Sequence, residues 1–207
     1  MKKILLFLSL CLFFFVGCKS IRYEKIIEDV NIKFSILGLK KIEDAEKVLK
    51  LLDKAIQMEP HRWDAYSKQV QIYSFWSHIP EDFADNQEGV KSVFDKWLEN
   101  GNTFNQQQKL CYANTLYSLG DYEKARELHR QVYNWYLTNE IDFASNELDY
   151  FIYFFAGVLI GEVNINNFDE WKVDYYDGEF NDFLQDTIMQ LNDPEKKDEI
   201  VQCYCIC

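Results

Sequence analysis

Apolar residues recur along most of this chain three and four positions apart, the period of an amphipathic α-helix with about 3.6 residues per turn. Ala45, Val48, Leu49, Leu52, Ala55 and Ile56 form the first stripe. Met58-Glu59-Pro60 ends it, because proline drives the residue before it out of the α region. A second helix is expected from about Arg62 to Trp76, with Tyr66, Val70 and Tyr73 in phase. Ile79-Pro80 restarts the chain, and Val90, Val93, Phe94, Trp97 and Leu98 make the next stripe, closed by the C-cap signal Asn100-Gly101. Ser77–Gln87 reads as an insertion. Between Leu110 and Tyr136 one helix carries Tyr112, Ala113, Leu116, Tyr117 and Leu119. Gly120-Asp121 makes a turn, and the next helix carries Tyr122, Ala125, Leu128, Val132 and Trp135. A further apolar helix is expected from about Glu147 to Gly161. Asn167 and Glu170 then have capping-box spacing for a last helix bearing Trp171, Tyr175, Phe180, Phe183, Leu184, Ile188 and Leu191, closed by Asp193-Pro194. Only 8 Gly and 3 Pro occur in 207 residues, too few turn-formers for an all-β sandwich.

Paired helices at regular spacing point to a repeat. Leu110 to Tyr136, LCYANTLYSLGDYEKARELHRQVYNWY, resembles the tetratricopeptide repeat. Ala113 takes the small position of the first helix, and Gly120, Tyr122 and Ala125 match the family's Gly-Asp-Tyr-x-x-Ala turn and second-helix start. The likeness recurs in Asp44 to Tyr73, where Ala55 and Pro60 match the late Ala and the terminating Pro, and Asp64, Ala65, Tyr66 and Tyr73 match the following first helix. Val70 and Val132 stand where the family prefers smaller residues. Val70, Ala113 and Ala156 are 43 residues apart, whereas the family's period is about 34. The repeats are therefore elongated and degenerate. The resemblance implies an all-α fold, a short right-handed solenoid of three to four antiparallel helix pairs over residues 24–192. It also implies a binding module for a protein or peptide.

The start of the chain carries a different signal. Lys2 and Lys3 precede a largely apolar run from Ile4 to Val16, which suits a signal-peptide core and is shorter than the roughly 18–20 residues needed to span a bilayer. The run closes in Phe15-Val16-Gly17-Cys18, which resembles the bacterial lipoprotein signal, with Phe15 in place of the usual Leu. The resemblance implies removal of residues 1–17, lipidation of Cys18, a tether over residues 18–23, and attachment to the outer membrane or the periplasmic membrane face of a bacterial envelope. Removing residues 1–17 takes away two lysines and no acid, carrying the formal charge from −12 to −14. Such a surface repels nucleic acid and favours a basic partner.

Chemistry is sparse. No zinc-protease, nucleophile-elbow or phosphate-loop motif occurs, and His61, His78 and His129 are far apart, His129 reading as a core-edge residue. No cofactor is implied, and the reading is non-enzymatic. Cys111 falls in a helical pattern as a small core residue. Cys203, Cys205 and Cys207 end the tail, residues 193–207. Their spacing suits a soft metal or a disulfide, but no further ligand lies nearby, so an inert tail is the simpler expectation. Gly157 and Gly161 are expected at close helix–helix packing. The aromatic load stands above background, with 13 Tyr, 16 Phe and 5 Trp. Trp63, Tyr66, Tyr73, Tyr112, Tyr117, Tyr150 and Tyr153 are candidates for a partner-binding groove. Two other functions fit the same features. Small size and acidity suit an immunity lipoprotein that sequesters a toxin, and abundant carboxylates suit a component that binds or hydrolyses an envelope polymer.

Overall fold

The computed structural model describes residues 19–33, 42–76, 83–163, 178–193, 196–197 and 201. All regular structure among the described residues is helical. The chain divides into two compact units, one formed by Met1–Glu81 with Ser92–Thr103 and the other by Asp82–Lys91 with Phe104–Cys207.

The first unit holds α1 (residues 19–32), α2 (Ile42–Met58), α3 (Trp63–Trp76) and the later turns of α4 (Phe83–Glu99). The face of α2 that is buried consists of Ala45, Val48, Leu52, Ala55 and Ile56, the expected stripe, and α2 packs on α3. Pro60 ends α2, and its carbonyl is then claimed twice, by the Tyr66 hydroxyl at 2.9 Å and by Asn102 Nδ2 at 2.9 Å. Asn100 Nδ2 donates to Tyr66 Oη at 2.8 Å, which ties the end of α4 to the same corner. Gly101, at φ +78°, lets the chain leave α4.

Two expectations gain detail along this stretch of chain. The segment expected as a tether, residues 18–23, is helical from residue 19, and Tyr23 is fully buried; Cys18 lies outside the described residues. The Arg62 guanidinium lies 4.2 Å from the Tyr23 ring centroid and pairs with Glu24 and Asp64, so a charged roof covers the ring. Burial, reinforced by the Asp64 charge, pushes the Tyr23 hydroxyl up to about 12. Of the expected insertion Ser77–Gln87, residues 77–82 lie outside the described residues, and Phe83 begins α4, whose opening turns belong to the other unit. Asn86 and Gln87 are buried in α4, polar positions that an apolar stripe does not register.

The second unit holds the opening turns of α4, then α5 (Gln106–Ser118), α6 (Tyr122–Thr138), a 3₁₀ turn (Phe143–Ser145), α7 (Glu147–Ile160) and α8 (Gly178–Asn192). Helix α5 starts at a capping box: Asn105 accepts from the Gln108 amide at 2.8 Å, and Gln108 Oε1 accepts from the Asn105 amide at 3.0 Å. It ends at Gly120 (φ +83°), where the Gly120 and Asp121 amides donate to Tyr117 and Leu116 carbonyls. Gly161 (φ +82°) closes α7 with the same pair of bonds, to Val158 and Gly157. Leu110 to Leu116 are all buried, so α5 is enclosed around most of its circumference. It packs on α6 and α7, which also pack on each other. Val70, Ala113 and Ala156, spaced at equal intervals, are all fully buried.

The buried stripe of α6 is rotated from the expected one. Ala125, His129, Val132 and Tyr136 face inward, while Tyr122 and Trp135 are 55 % and 38 % exposed. The rotation follows from two polar side chains that find partners inside. His129 Nε2 lies 2.8 Å from Asn114 Oδ1, and Tyr136 Oη donates to Asp149 Oδ1 at 2.6 Å. Gly157 and Gly161 also separate in role: Gly157 meets the Tyr133 ring, whereas Gly161 caps the helix. In α8, Leu184, Ile188 and Leu191 are buried, and Asn167, Glu170, Trp171 and Tyr175 lie outside the described residues.

Candidate functional site

An apolar groove of about 400 Å³ opens in the second unit between α5, α7 and α8. Its floor is Leu110, Phe151 and Ile152, each buried. Cys111 is buried beside them in α5, as expected for a small core residue. Leu148, half exposed, and Phe183, 42 % exposed, stand at its edge. Phe151 and Phe183 are 5.4 Å apart between ring centroids, and Phe180 is 6.3 Å from Phe183. Two polar side chains join the lining, Gln107 and Glu147, so among the described lining residues the only charge is negative. Helix periodicity places these residues together. Positions 148, 151 and 152 share one face of α7, and 180 and 183 share one face of α8.

A hydrogen-bonded aromatic layer lies behind the groove helix. Tyr133 and Tyr153 stack at 4.9 Å and 9°, Tyr153 meets Phe143 at 5.3 Å, and Tyr136 meets Trp135 edge-on at 5.0 Å. Asp149 is bound from two sides, by Tyr136 and by Asn146 Nδ2 at 2.7 Å, and its own amide donates to Asn146 Oδ1, the N-cap of α7. Burial raises the Tyr136 hydroxyl well above its usual range, and the hydrogen bond to Asp149 raises it further; burial and Tyr133 do the same to Tyr153.

The seven aromatic candidates separate by burial. Tyr66, Tyr112 and Tyr150 are buried and present no surface to a partner. Tyr66 lies under Trp63 at 5.9 Å, with Trp97 edge-on to both. Tyr112 takes Lys124 over its ring at 5.3 Å. Trp63, Tyr73, Tyr117 and Tyr153 are part-buried. Trp63, Tyr66 and Tyr73 belong to the first unit, and Tyr112, Tyr117, Tyr150 and Tyr153 to the second. None of the seven lines the apolar groove; its aromatic residues are phenylalanines. The exposed Leu148 and the i, i+3 pair Phe180 and Phe183 were the available signals, because an apolar residue outside a helix's buried arc has no core to serve. Of the packing residues, Ala55, Ala113 and Ala125 are fully buried, Pro60 and Gly120 terminate helices, and Tyr122 is exposed, resting edge-on against Tyr117 at 4.9 Å. Cys18, Cys203, Cys205 and Cys207 lie outside the described residues.

His129 is not at the core edge. It is 1 % exposed, and burial pushes its imidazole down to about 3, so the ring is neutral and bonds Asn114. His61 is at the surface, with Nδ1 2.8 Å from Asn102 Oδ1. Among the described residues no group of three His, Cys, Asp or Glu side chains is placed to hold a metal ion, and no helix is long and apolar enough to cross a membrane. No protein-family model matches the chain, and no curated protein or solved structure is similar to it.

Proposed function

We propose that this protein is a lipid-anchored binding module of a bacterial envelope, non-enzymatic, whose groove between α5, α7 and α8 receives an apolar, basic segment of a protein partner. The groove carries the reading: Leu148 and Phe183 stay exposed over a buried apolar floor, beside Glu147 as the one charged residue among its described lining residues. Charge supports a basic partner, because a chain at −12 with an acidic groove edge attracts cations and repels acids. The anchor is Cys18 at the end of the apolar leader, and two or more acyl chains there would hold the protein stably where one would not.

A tetratricopeptide-type solenoid is the arrangement we infer for the helices. It is supported by the successive packing of α5, α6 and α7, by the direct contact of α5 with α7, and by the buried positions 70, 113 and 156. In such an array alternate helices share one face, the side on which α5 and α7 line the groove.

A photo-crosslinking amino acid at Phe183 or Leu148, in cells carrying the full-length protein, tests the groove. One discrete adduct from both positions and none from the exposed Lys47 on α2 is expected; equal adducts from all three positions would remove it. Labelled fatty acid should enter the wild-type protein and not Cys18→Ser, and label retained in that variant would remove the anchor.

A further inference from the structure

The second unit has another opening, of about 370 Å³, by the turn between α5 and α6. Its lining is Tyr117, Tyr122, Arg126, His129, Leu159 and Lys197. The charge here runs against the chain as a whole. The protein carries −12, yet the described residues of this lining include two cations and no carboxylate.

Neighbouring cations are satisfied in a way these two are not. Arg130 pairs with Glu127 at 3.1 Å, and Lys196 with Asp193 at 3.9 Å. Arg126 and Lys197 enter no ion pair among the described residues. Glu123 and Glu127 flank Arg126 on a separate depression, and Glu127 is already engaged by Arg130 and by Gln131 Nε2 at 3.2 Å. Lys197 Nζ sits 5.9 Å from the Tyr117 ring centroid. Two like charges on one cavity repel until an anion joins them. Around them the surface is aromatic and apolar. Tyr117 and Tyr122 meet at 74°, and Leu159 closes a wall. His129 adds a neutral ring whose Nε2 is taken by Asn114.

We propose that this cavity binds a small organic anion, a carboxylate or phosphate carried on a ring or apolar body. The anionic group lies between Arg126 and Lys197, and the body rests on Tyr117, Tyr122 and Leu159. Charge-assisted hydrogen bonds from guanidinium and ammonium hold the head. The two tyrosine rings select a planar body over a bare ion. The site is independent of the apolar groove, with which it shares no lining residue.

Calorimetric titration of the purified full-length protein tests this with three probes: phenyl phosphate, benzoate and inorganic phosphate. Saturable binding of phenyl phosphate or benzoate is expected, at least tenfold tighter than inorganic phosphate. Arg126→Gln and Lys197→Gln should each weaken it about tenfold, the size of one charge-assisted contact. Tyr122→Ala should weaken phenyl phosphate without changing inorganic phosphate. Arg130→Gln, outside the cavity, should change nothing. Phenyl phosphate preferred over benzoate marks a phosphate head, and the reverse a carboxylate. No saturable heat from any probe at millimolar concentration overturns the proposal, and so does binding that survives Arg126→Gln with Lys197→Gln.

Discussion

Gly157→Ala sets two local effects against each other and lets the structure decide the sign. In an exposed helix the change gains about 1 kcal/mol, since glycine loses more backbone freedom than alanine. Here the new Cβ would stand 2.5 Å from Val163 Cγ2 and 2.8 Å from Tyr133 Cε2, where carbon pairs prefer roughly 3.5–4.0 Å. Val163 follows the helix end and can turn aside. Tyr133 cannot, because its ring is stacked on Tyr153, which is itself backed by Phe143 and Tyr136. Overpacking of this kind costs about 1–3 kcal/mol. The net expectation is a loss of about 1 kcal/mol, read by urea unfolding followed by far-ultraviolet circular dichroism. Hydrogen exchange should place the loosened amides in α6 and α7. In a Tyr133→Ala background the obstacle is gone, and Gly157→Ala should turn neutral or stabilising, a coupling of about 1–2 kcal/mol between adjacent sites. A stabilised single variant, or a cost unchanged without Tyr133, would refute the reasoning.

Ala125→Arg should unfold the second unit, because position 125 is fully buried and an unpaired charge there costs about 3 kcal/mol or more; an unchanged thermal transition would oppose the placement of α6. Tyr136→Phe should cost about 1–2 kcal/mol at pH 7, since Asp149 loses a donor 2.6 Å away but keeps Asn146. The folded Tyr136 titrates above its ordinary 10.0, so its contribution is complete below pH 10 and fades as pH rises beyond it. Wild type and Tyr136→Phe should therefore converge in urea titrations above pH 10. His129 is shifted the other way, from 6.5 to about 3, so the unfolded chain takes up its proton first. Wild type should lose about 1.4 kcal/mol per pH unit below 6.5, and His129→Gln, which keeps an amide for Asn114, should show a flatter profile between pH 6.5 and 5.

The helices were legible where apolar residues define the buried face. Helix α2 buries five of the six residues of its stripe, and Gly101 and Gly120 close helices where their flanking residues placed the turns. Legibility failed where polar side chains are buried. The opening of α4 turns Asn86 and Gln87 inward, and α6 turns in His129, so the apolar pattern began one helix late and another slightly rotated. Some of this was encoded in plain view. Asn105-x-x-Gln108 is a capping box, and Asn146-x-x-Asp149 has the same spacing for a cap. The burial of Tyr23 was not encoded locally, because its covering Arg62 is 39 residues away and belongs to another turn. The groove was hidden for a related reason. Tyrosine drew attention as an amphipathic binder, but the polar ends of Tyr66 and Tyr136 satisfy inward partners, and phenylalanine and leucine were left at the edge.

The buried polar pair in the second unit explains how α5 and α6 keep a single alignment. Ala113 and Ala125 let α5 and α6 approach closely, but small residues alone leave the helices free to slide by a turn. Asn114 and His129 remove that freedom, since a slipped register would bury both without a partner, at about 1–3 kcal/mol for each group. His129 must be neutral for this, and burial makes it so. The same side chain lines the cationic cavity, together with Arg126, three residues earlier on α6, and Tyr117 of α5. The buried hydrogen bond and the cavity thus share His129, and substitutions at Asn114 belong among controls for any ligand measured there.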